Sequence, residues 1–138
     1  MAHTATSPVD VVLQFVERIN AHDVGGMCAL MSPDHLFVDS QGDELRGREE
    51  MRKAWVQYFY LFPDFTITCR QVLHRGEDVA LFGTAQGSYT VGTPLPVDNH
   101  WQMPAAWRAV VRGGLVAEWQ VYADNEPVRR LMAHQPGS

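Results

Sequence analysis

Trp107–Met132, WRAVVRGGLVAEWQVYADNEPVRRLM, decides the fold of this chain. An alternating apolar run, His100–Val111, enters Arg112-Gly113-Gly114, and a second run, Leu115–Ala123, leaves it. Two such runs about a Gly-Gly turn form a hairpin. Asp124 or Asn125 then caps a short helix over Pro127–Met132, because a side-chain oxygen there can accept from the first free N–H groups. Upstream, Phe65–Cys69 starts a strand that can be followed to Leu73, and Val79–Thr90 is a long partner across the His74–Asp78 turn. Gly92–Pro96 is a loop with two prolines.

The first half is helical. Ser7 caps a helix that has Pro8 at its first position and Asp10 three residues after the cap. Val9, Val12, Leu13, Val16 and Ile19 keep helical spacing, with Phe15 beside them. His22–Gly26 breaks the pattern, and a second helix covers about 25–31, ending near Ser32-Pro33. Leu36–Asp39 reads as a short strand, and Gly42 and Gly47 bracket a turn and a brief extended piece. A third helix runs from about Arg48 to Phe62 with Met51, Trp55, Tyr58, Phe59 and Phe62 as its apolar face, and Pro63-Asp64 stops it.

Long antiparallel strands after a helical half predict an α+β fold. Gly83, Ala85, Gly87, Ala105 and Ala106 let the strands curl. The expected architecture is a curved, mostly antiparallel sheet, a cone-like half barrel, wrapped by three N-terminal helices, with a short C-terminal helix. The open end of such a cone is a common ligand site.

The 138 residues fit one domain over 1–138, with flexible tails at about 1–7 and 134–138. A 46% hydrophobic and 20% charged composition argues for a packed core and against disorder. The net charge of −5 and scattered Lys and Arg disfavour nucleic acid and anionic membrane as partners. Residues 1–8 lack the basic start and apolar run of a signal peptide, so a cytoplasmic protein is expected. Cys28 and Cys69 match no zinc or redox spacing and read as small buried thiols. The six histidines form no ligand motif, so no metal is expected.

Val12–Asp23, Asp34–Gly47 (DHLFVDSQGDELRG), the Phe62-Pro63-Asp64 helix end and Trp107–Met132 together make the chain resemble the SnoaL-like proteins of the nuclear transport factor 2-like superfamily. That resemblance implies a curved sheet and three helices around a pocket, usually in a homodimer. The superfamily holds ketosteroid isomerases, limonene epoxide hydrolases, polyketide cyclases and many non-catalytic members, so the fold alone does not choose a function. Asp39 matches the isomerases' base. Their oxyanion-binding Tyr and Asp fall on Phe15 and Ala106. The epoxide hydrolases' Asn and Tyr fall on Asp39 and Phe37, and their Asp-Arg-Asp set falls on Gln86, Thr84 and Val121. The cyclases' acid/base Asp also falls on Val121, and a pocket His falls on Trp107.

Asp39 is the leading chemical candidate. A carboxylate at the inner end of a strand, facing Phe and Trp side chains, suits a general base for abstracting a proton from carbon. Asp39-Ser40-Gln41-Gly42 is also a turn signature, in which Asp binds local backbone. His100 is a second acid/base candidate, although alternation sends Trp101, Met103, Ala105 and Trp107 to one face and His100 to the other. Asp124 reads first as a cap. The expected pocket walls are Phe15, Trp55, Tyr58, Met103, Trp107, Trp119 and Val121, with Asp39, Thr84 and Gln86 as polar groups. Aromatic residues are core payload in any domain, but four Trp in 138 residues favour a lined pocket.

Two functions follow. One is an isomerase, cyclase or dehydratase, free of metal and organic cofactor, in which Asp39 moves a proton on an apolar carbonyl substrate and Tyr58, Thr84, Gln86 or His100 helps the oxyanion. The other is a non-catalytic ligand-binding or accessory domain. Either takes a small apolar or aromatic molecule. The exposed sheet face suggests a homodimer.

Overall fold

Ser7 caps the first helix, its hydroxyl accepting from the Asp10 N–H at 3.1 Å. The structure is a computed structural model that describes residues 7–90 and 99–133. The 92–96 loop, the 134–138 tail and all but Ser7 of the N-terminal tail lie outside those residues. In chain order the elements are α1 (Pro8–Asn20), α2 (Val24–Ala29), β1 (Met31–Val38), β2 (Glu44–Arg46), α3 (Arg48–Leu61), β3 (Thr66–Arg75), β4 (Asp78–Ser88), β5 (His100–Arg112), β6 (Leu115–Tyr122) and α4 (Glu126–Ala133). The α+β expectation holds: the six strands form one curved, mixed sheet in the order β2-β1-β6-β5-β4-β3. Every neighbouring pair is antiparallel except β1 with β6.

The main departure lies around Pro33. The second helix stops at Ala29 and the chain enters β1 at Met31, so Ser32-Pro33 belongs to a strand and not to a helix end. Proline is tolerated there because the β1–β6 register shifts between Met31 and Leu36, and a bulge needs no ladder N–H. The parallel pairing then carries Leu36, Phe37 and Val38 alongside Glu118, Trp119 and Gln120.

Curvature has a local cause at Gly83. A Cβ there would lie 1.8 Å from the Thr68 carbonyl oxygen, so β3 folds over β4 at a point only glycine permits. The β3 register shifts between Cys69 and Gln71 at the same place. The concave face carries Val79, Leu81, Ala85, Trp101, Met103, Trp107, Ala109 and Trp119, all buried. Helix α1 covers it with Val12, Phe15, Val16 and Ile19, and α3 with Met51, Trp55 and Phe59.

The edge strand β3 is tied to α1 by one side chain. Asn20 Nδ2 donates to the Ile67 carbonyl at 2.9 Å, and its Oδ1 accepts from the Ile67 N–H at 2.8 Å. His22 is half-buried in this joint. Its ring stacks on Phe59 at 4.0 Å, and Nε2 donates to the Phe65 carbonyl at 2.7 Å. Its φ of 55° bends the chain from α1 into α2.

Candidate functional site

A cavity of about 310 Å³ opens between α3 and the concave face of the sheet. Its walls are chiefly rings: Trp55 and Tyr58 from α3, Phe37 from β1, Phe65 before β3, Trp101 and Trp107 from β5, and Trp119 from β6. Trp55 meets Tyr58 edge-on with centroids 5.8 Å apart, and Trp107 stacks with Trp119 at 6.4 Å. The space exists because alanines stand between these rings. Ala54, Ala85, Ala105 and Ala123 line it, and Ala105 pairs with Gly83 across the ladder. Small residues beside large ones leave volume that close packing would otherwise fill.

The polar lining lies at one end. Asp39, Ser40 and Asn125 line the cavity there, where the β1–β2 turn meets the start of α4. Asp39 is half-buried, and its Oδ1 accepts from the N–H groups of Gln41 at 2.9 Å and Asp43 at 3.0 Å. This is the expected turn. Its second oxygen has no hydrogen-bond partner among the described residues. One carboxylate therefore serves the turn with one oxygen and lines the cavity as well. Asn125 Nδ2 donates to Ser40 Oγ at 2.5 Å, which fastens α4 beside the opening. Asp124 behaves as a local turn residue, its Oδ1 accepting from the Glu126 N–H at 3.0 Å.

Tyr58 is the phenol of the lining. Part of its surface is accessible, yet protein encloses the ring, as befits a side chain on a cavity wall. That burial pushes its pKa well above the ordinary phenol value, so the hydroxyl stays protonated and able to donate. The indole nitrogens of Trp55, Trp101 and Trp119 are buried without a hydrogen-bond partner. They offer no accessible donor to the cavity.

Of the eleven sequence-predicted site residues, Asp39, Trp55, Tyr58, Met103, Trp107, Trp119 and Val121 line the cavity together. Four do not. Phe15 is wholly buried in the core, edge-on to Trp119 at 5.0 Å. Thr84 and Gln86 are corrected to the convex face, where they pair with the outward-facing Pro104 and Gln102. The inward residues of β4 are Leu81, Gly83, Ala85 and Gly87. His100 is exposed on that convex side, as alternation predicted. Its Nδ1 lies 3.0 Å from Ser88 Oγ, whose proton goes to Asp64 Oδ2 at 2.7 Å. That chain anchors the end of β4 and is outside the cavity lining.

Sequence reasoning missed Phe37, Phe65, Trp101, Ser40 and Asn125 as lining residues. Trp101 was reachable, since it shares a face with Met103 and Trp107. Asn125 was read only as a cap. His35 is wholly buried. Its Nδ1 donates to the Val116 carbonyl at 2.7 Å, and Nε2 has no partner. Burial lowers its pKa against the raising effects of Val116, Asp34 and Glu118. Among the described residues no His, Cys, Asp and Glu group could hold a metal, and no helix is long and apolar enough to cross a membrane.

The fold recurs in solved structures. A candidate SnoaL-like polyketide cyclase from Jannaschia sp. CCS1 superposes with a TM-score of 0.80 at 17% identity, covering 99% of both chains. IdmH, a candidate polyketide cyclase from Streptomyces antibioticus, gives 0.75 at 24% identity, covering 92% of this chain and 99% of its own. A protein of ketosteroid isomerase-like fold from Catenulispora acidiphila, in complex with trimethylamine, gives 0.76 at 16% identity, covering 90% and 92%. At these identities the likeness is one of fold. No curated protein matches the chain in sequence. Residues 12–119, from the middle of α1 to the last tryptophan of the cavity wall, match the SnoaL-like domain. The chain therefore belongs to the SnoaL-like family, within the nuclear transport factor 2-like fold.

Proposed function

We propose that the cavity binds a small apolar or aromatic molecule and that Asp39 acts on it as a general base, in an isomerase-, cyclase- or dehydratase-type reaction without metal or organic cofactor. The carrying observation is that, among the described residues, Asp39 is the one carboxylate lining a cavity walled chiefly by aromatic rings. Its free oxygen takes a proton from carbon next to a carbonyl. The Tyr58 hydroxyl is the donor left for the developing oxyanion, now that Thr84, Gln86 and His100 lie outside the lining. The setting is a cytoplasmic homodimer that pairs through the convex face, where Leu73, Phe82 and Tyr122 are exposed.

Asp39→Asn tests the base. The amide keeps an oxygen for the Gln41 and Asp43 N–H groups, so the turn survives while the base is lost. The assay is deuterium uptake at carbon, read by NMR, over a panel of aromatic and alicyclic ketones. The wild-type chain is expected to catalyse exchange of at least one ketone, and Asp39→Asn to bring it to background with the fold intact. Exchange undiminished in the variant would refute the base. The second reading, a binding domain without chemistry, is favoured by the half of Asp39 already engaged in the turn. It expects background exchange in both proteins alongside a tryptophan fluorescence change on ligand binding.

A further inference from the structure

We infer that the cavity selects an apolar cation: a tertiary or quaternary amine carrying an alkyl or aromatic body. The inference rests on the cavity being a ligand site, as proposed above. In it Asp39 serves as the counter-ion of a bound cation, a role that does not draw on its basicity.

Three observations converge. First, the walls are aromatic, with Trp55, Tyr58, Phe65, Trp101, Trp107 and Trp119 around one space. A ring presents a negative face and a positive edge, and a cation over the face is attracted. Second, three of the four indole N–H groups, the strongest positive edges of the wall, are withheld. The indole nitrogens of Trp55, Trp101 and Trp119 are buried, so those rings present carbon to the cavity and not N–H. Third, the lining includes no Lys, Arg or His among the described residues, and its charged side chain is Asp39. The nearby cations Arg129 and Arg130 are held by Glu126 at 2.8 and 3.2 Å.

These facts rank ligands by charge. An anion meets ring faces and a carboxylate, with few donors to receive it. A neutral apolar molecule gains area burial alone. A cation with alkyl groups gains the same area, the ring faces and Asp39 together. Strongly hydrated ions such as ammonium or a lysine head lose more water than these contacts replace. The favoured species is thus a substituted amine whose charge is spread under carbon.

The test uses three probes of one shape: phenyltrimethylammonium, its neutral carbon isostere tert-butylbenzene, and the anion 4-tert-butylbenzoate. Binding to the full chain is followed by calorimetry and tryptophan fluorescence. Phenyltrimethylammonium is expected to bind roughly tenfold tighter than tert-butylbenzene, and the anion more weakly than either. The cation-to-neutral ratio is expected to fall severalfold in Asp39→Asn, which removes the charge and keeps the turn. Equal or tighter binding of tert-butylbenzene, or a preference for the anion, overturns the cation inference and leaves the pocket reading standing. Binding of none of the three overturns both. A ratio unchanged in Asp39→Asn would overturn the counter-ion role of that residue.

Discussion

Ala105→Leu separates a ligand cavity from an ordinary core. Ala105 is 8% exposed, points to the concave face and stands on the cavity wall opposite α3. Its neighbour across the β4 ladder is Gly83, which has no side chain to collide with. The leucine adds three carbons facing open volume. At ~0.8 kcal/mol per buried methylene, with the usual reduction for a denatured chain that is already partly collapsed, the gain is about 2 kcal/mol. For a chain of this size that raises Tm by roughly 6 °C. Ala109 supplies the contrast. It is wholly buried, lies on the same strand and the same face, and is not part of the cavity lining. Ala109→Leu must force carbons into filled space, and is expected to cost about 1–3 kcal/mol. Thermal unfolding followed by circular dichroism measures both variants, and fluorescence titration with tert-butylbenzene reports the pocket. The expected pattern is Ala105→Leu more stable and binding tert-butylbenzene more weakly, with Ala109→Leu less stable. If Ala105→Leu destabilises as much as Ala109→Leu does, the space beside Ala105 is packed core and the cavity argument fails.

Gly83→Ala would set a Cβ against the Thr68 carbonyl, a backbone atom that cannot swing aside. It is expected to cost about 3 kcal/mol, the upper end for overpacking, and a urea midpoint within error of the wild-type value would show that the strands are not held in this curl. Tyr58→Phe keeps the ring and removes the donor. Ketone exchange should drop on the order of a hundredfold while the cation-to-neutral binding ratio stays put, and unchanged exchange would remove Tyr58 from the oxyanion role. His35 gives a pH dependence with a definite sign. Its folded pKa lies below the ordinary value of 6.5, so the unfolded chain binds the proton first. Its contribution to stability is complete above about pH 6.5 and is lost as pH falls below it. Urea midpoints measured between about pH 7.5 and 5.5 should decline less steeply in His35→Gln, and an unaltered slope would count against this assignment.

The element order was legible because each helix and hairpin carries its own punctuation: Ser7-Pro8, Pro63-Asp64, Gly76 and Gly113-Gly114. Strand β1 was the exception. Pro33 reads locally as a stop, and the fact that it sits at a bulge is decided by β6, over 80 positions away in the chain. The inward face of β5 was also legible, since Trp101, Met103 and Trp107 alternate cleanly. Strand β4 was not. Phe82, Thr84, Gln86 and Ser88 do share a face, but nothing within the strand says which one, and Phe82 pulls the guess inward. In the fold Phe82 lies outside beside Ala106, and the inward positions are the small Gly83 and Ala85. A one-residue slip exchanges the two faces of a strand. On β5 alternation had Ala105 inward, as the fold does, while the resemblance put the relatives' oxyanion group on Ala106, which lies outside beside Phe82. An alanine stands at either place, so the lost oxyanion group stays lost. Asn125 was invisible for another reason. Its partner Ser40 is 85 residues away, and a helix-cap signature explained the residue locally.

The two proposals meet at Tyr58, which is where chemistry and recognition can be told apart. Proton abstraction from a carbonyl compound creates an oxyanion, and a site that speeds the step must hold donors where that charge develops. Here the indole nitrogens of Trp55, Trp101 and Trp119 are buried away from the cavity. One of the two N–H donors of the Asn125 amide is held by Ser40. The positions that would carry the relatives' donors hold Phe15 and alanine. Such catalysis therefore leans on the Tyr58 phenol, with the Ser40 hydroxyl and the remaining Asn125 N–H beside Asp39 as its supplements. Selection of an apolar cation makes no such demand. It uses the ring of Tyr58 and not its hydroxyl, and it turns the scarcity of donors into the basis of discrimination. The feature that weakens the enzymatic reading is thus the one that strengthens the cationic one. A wall of ring carbon with one carboxylate at its edge sorts molecules by charge and girth before it performs any chemistry on them.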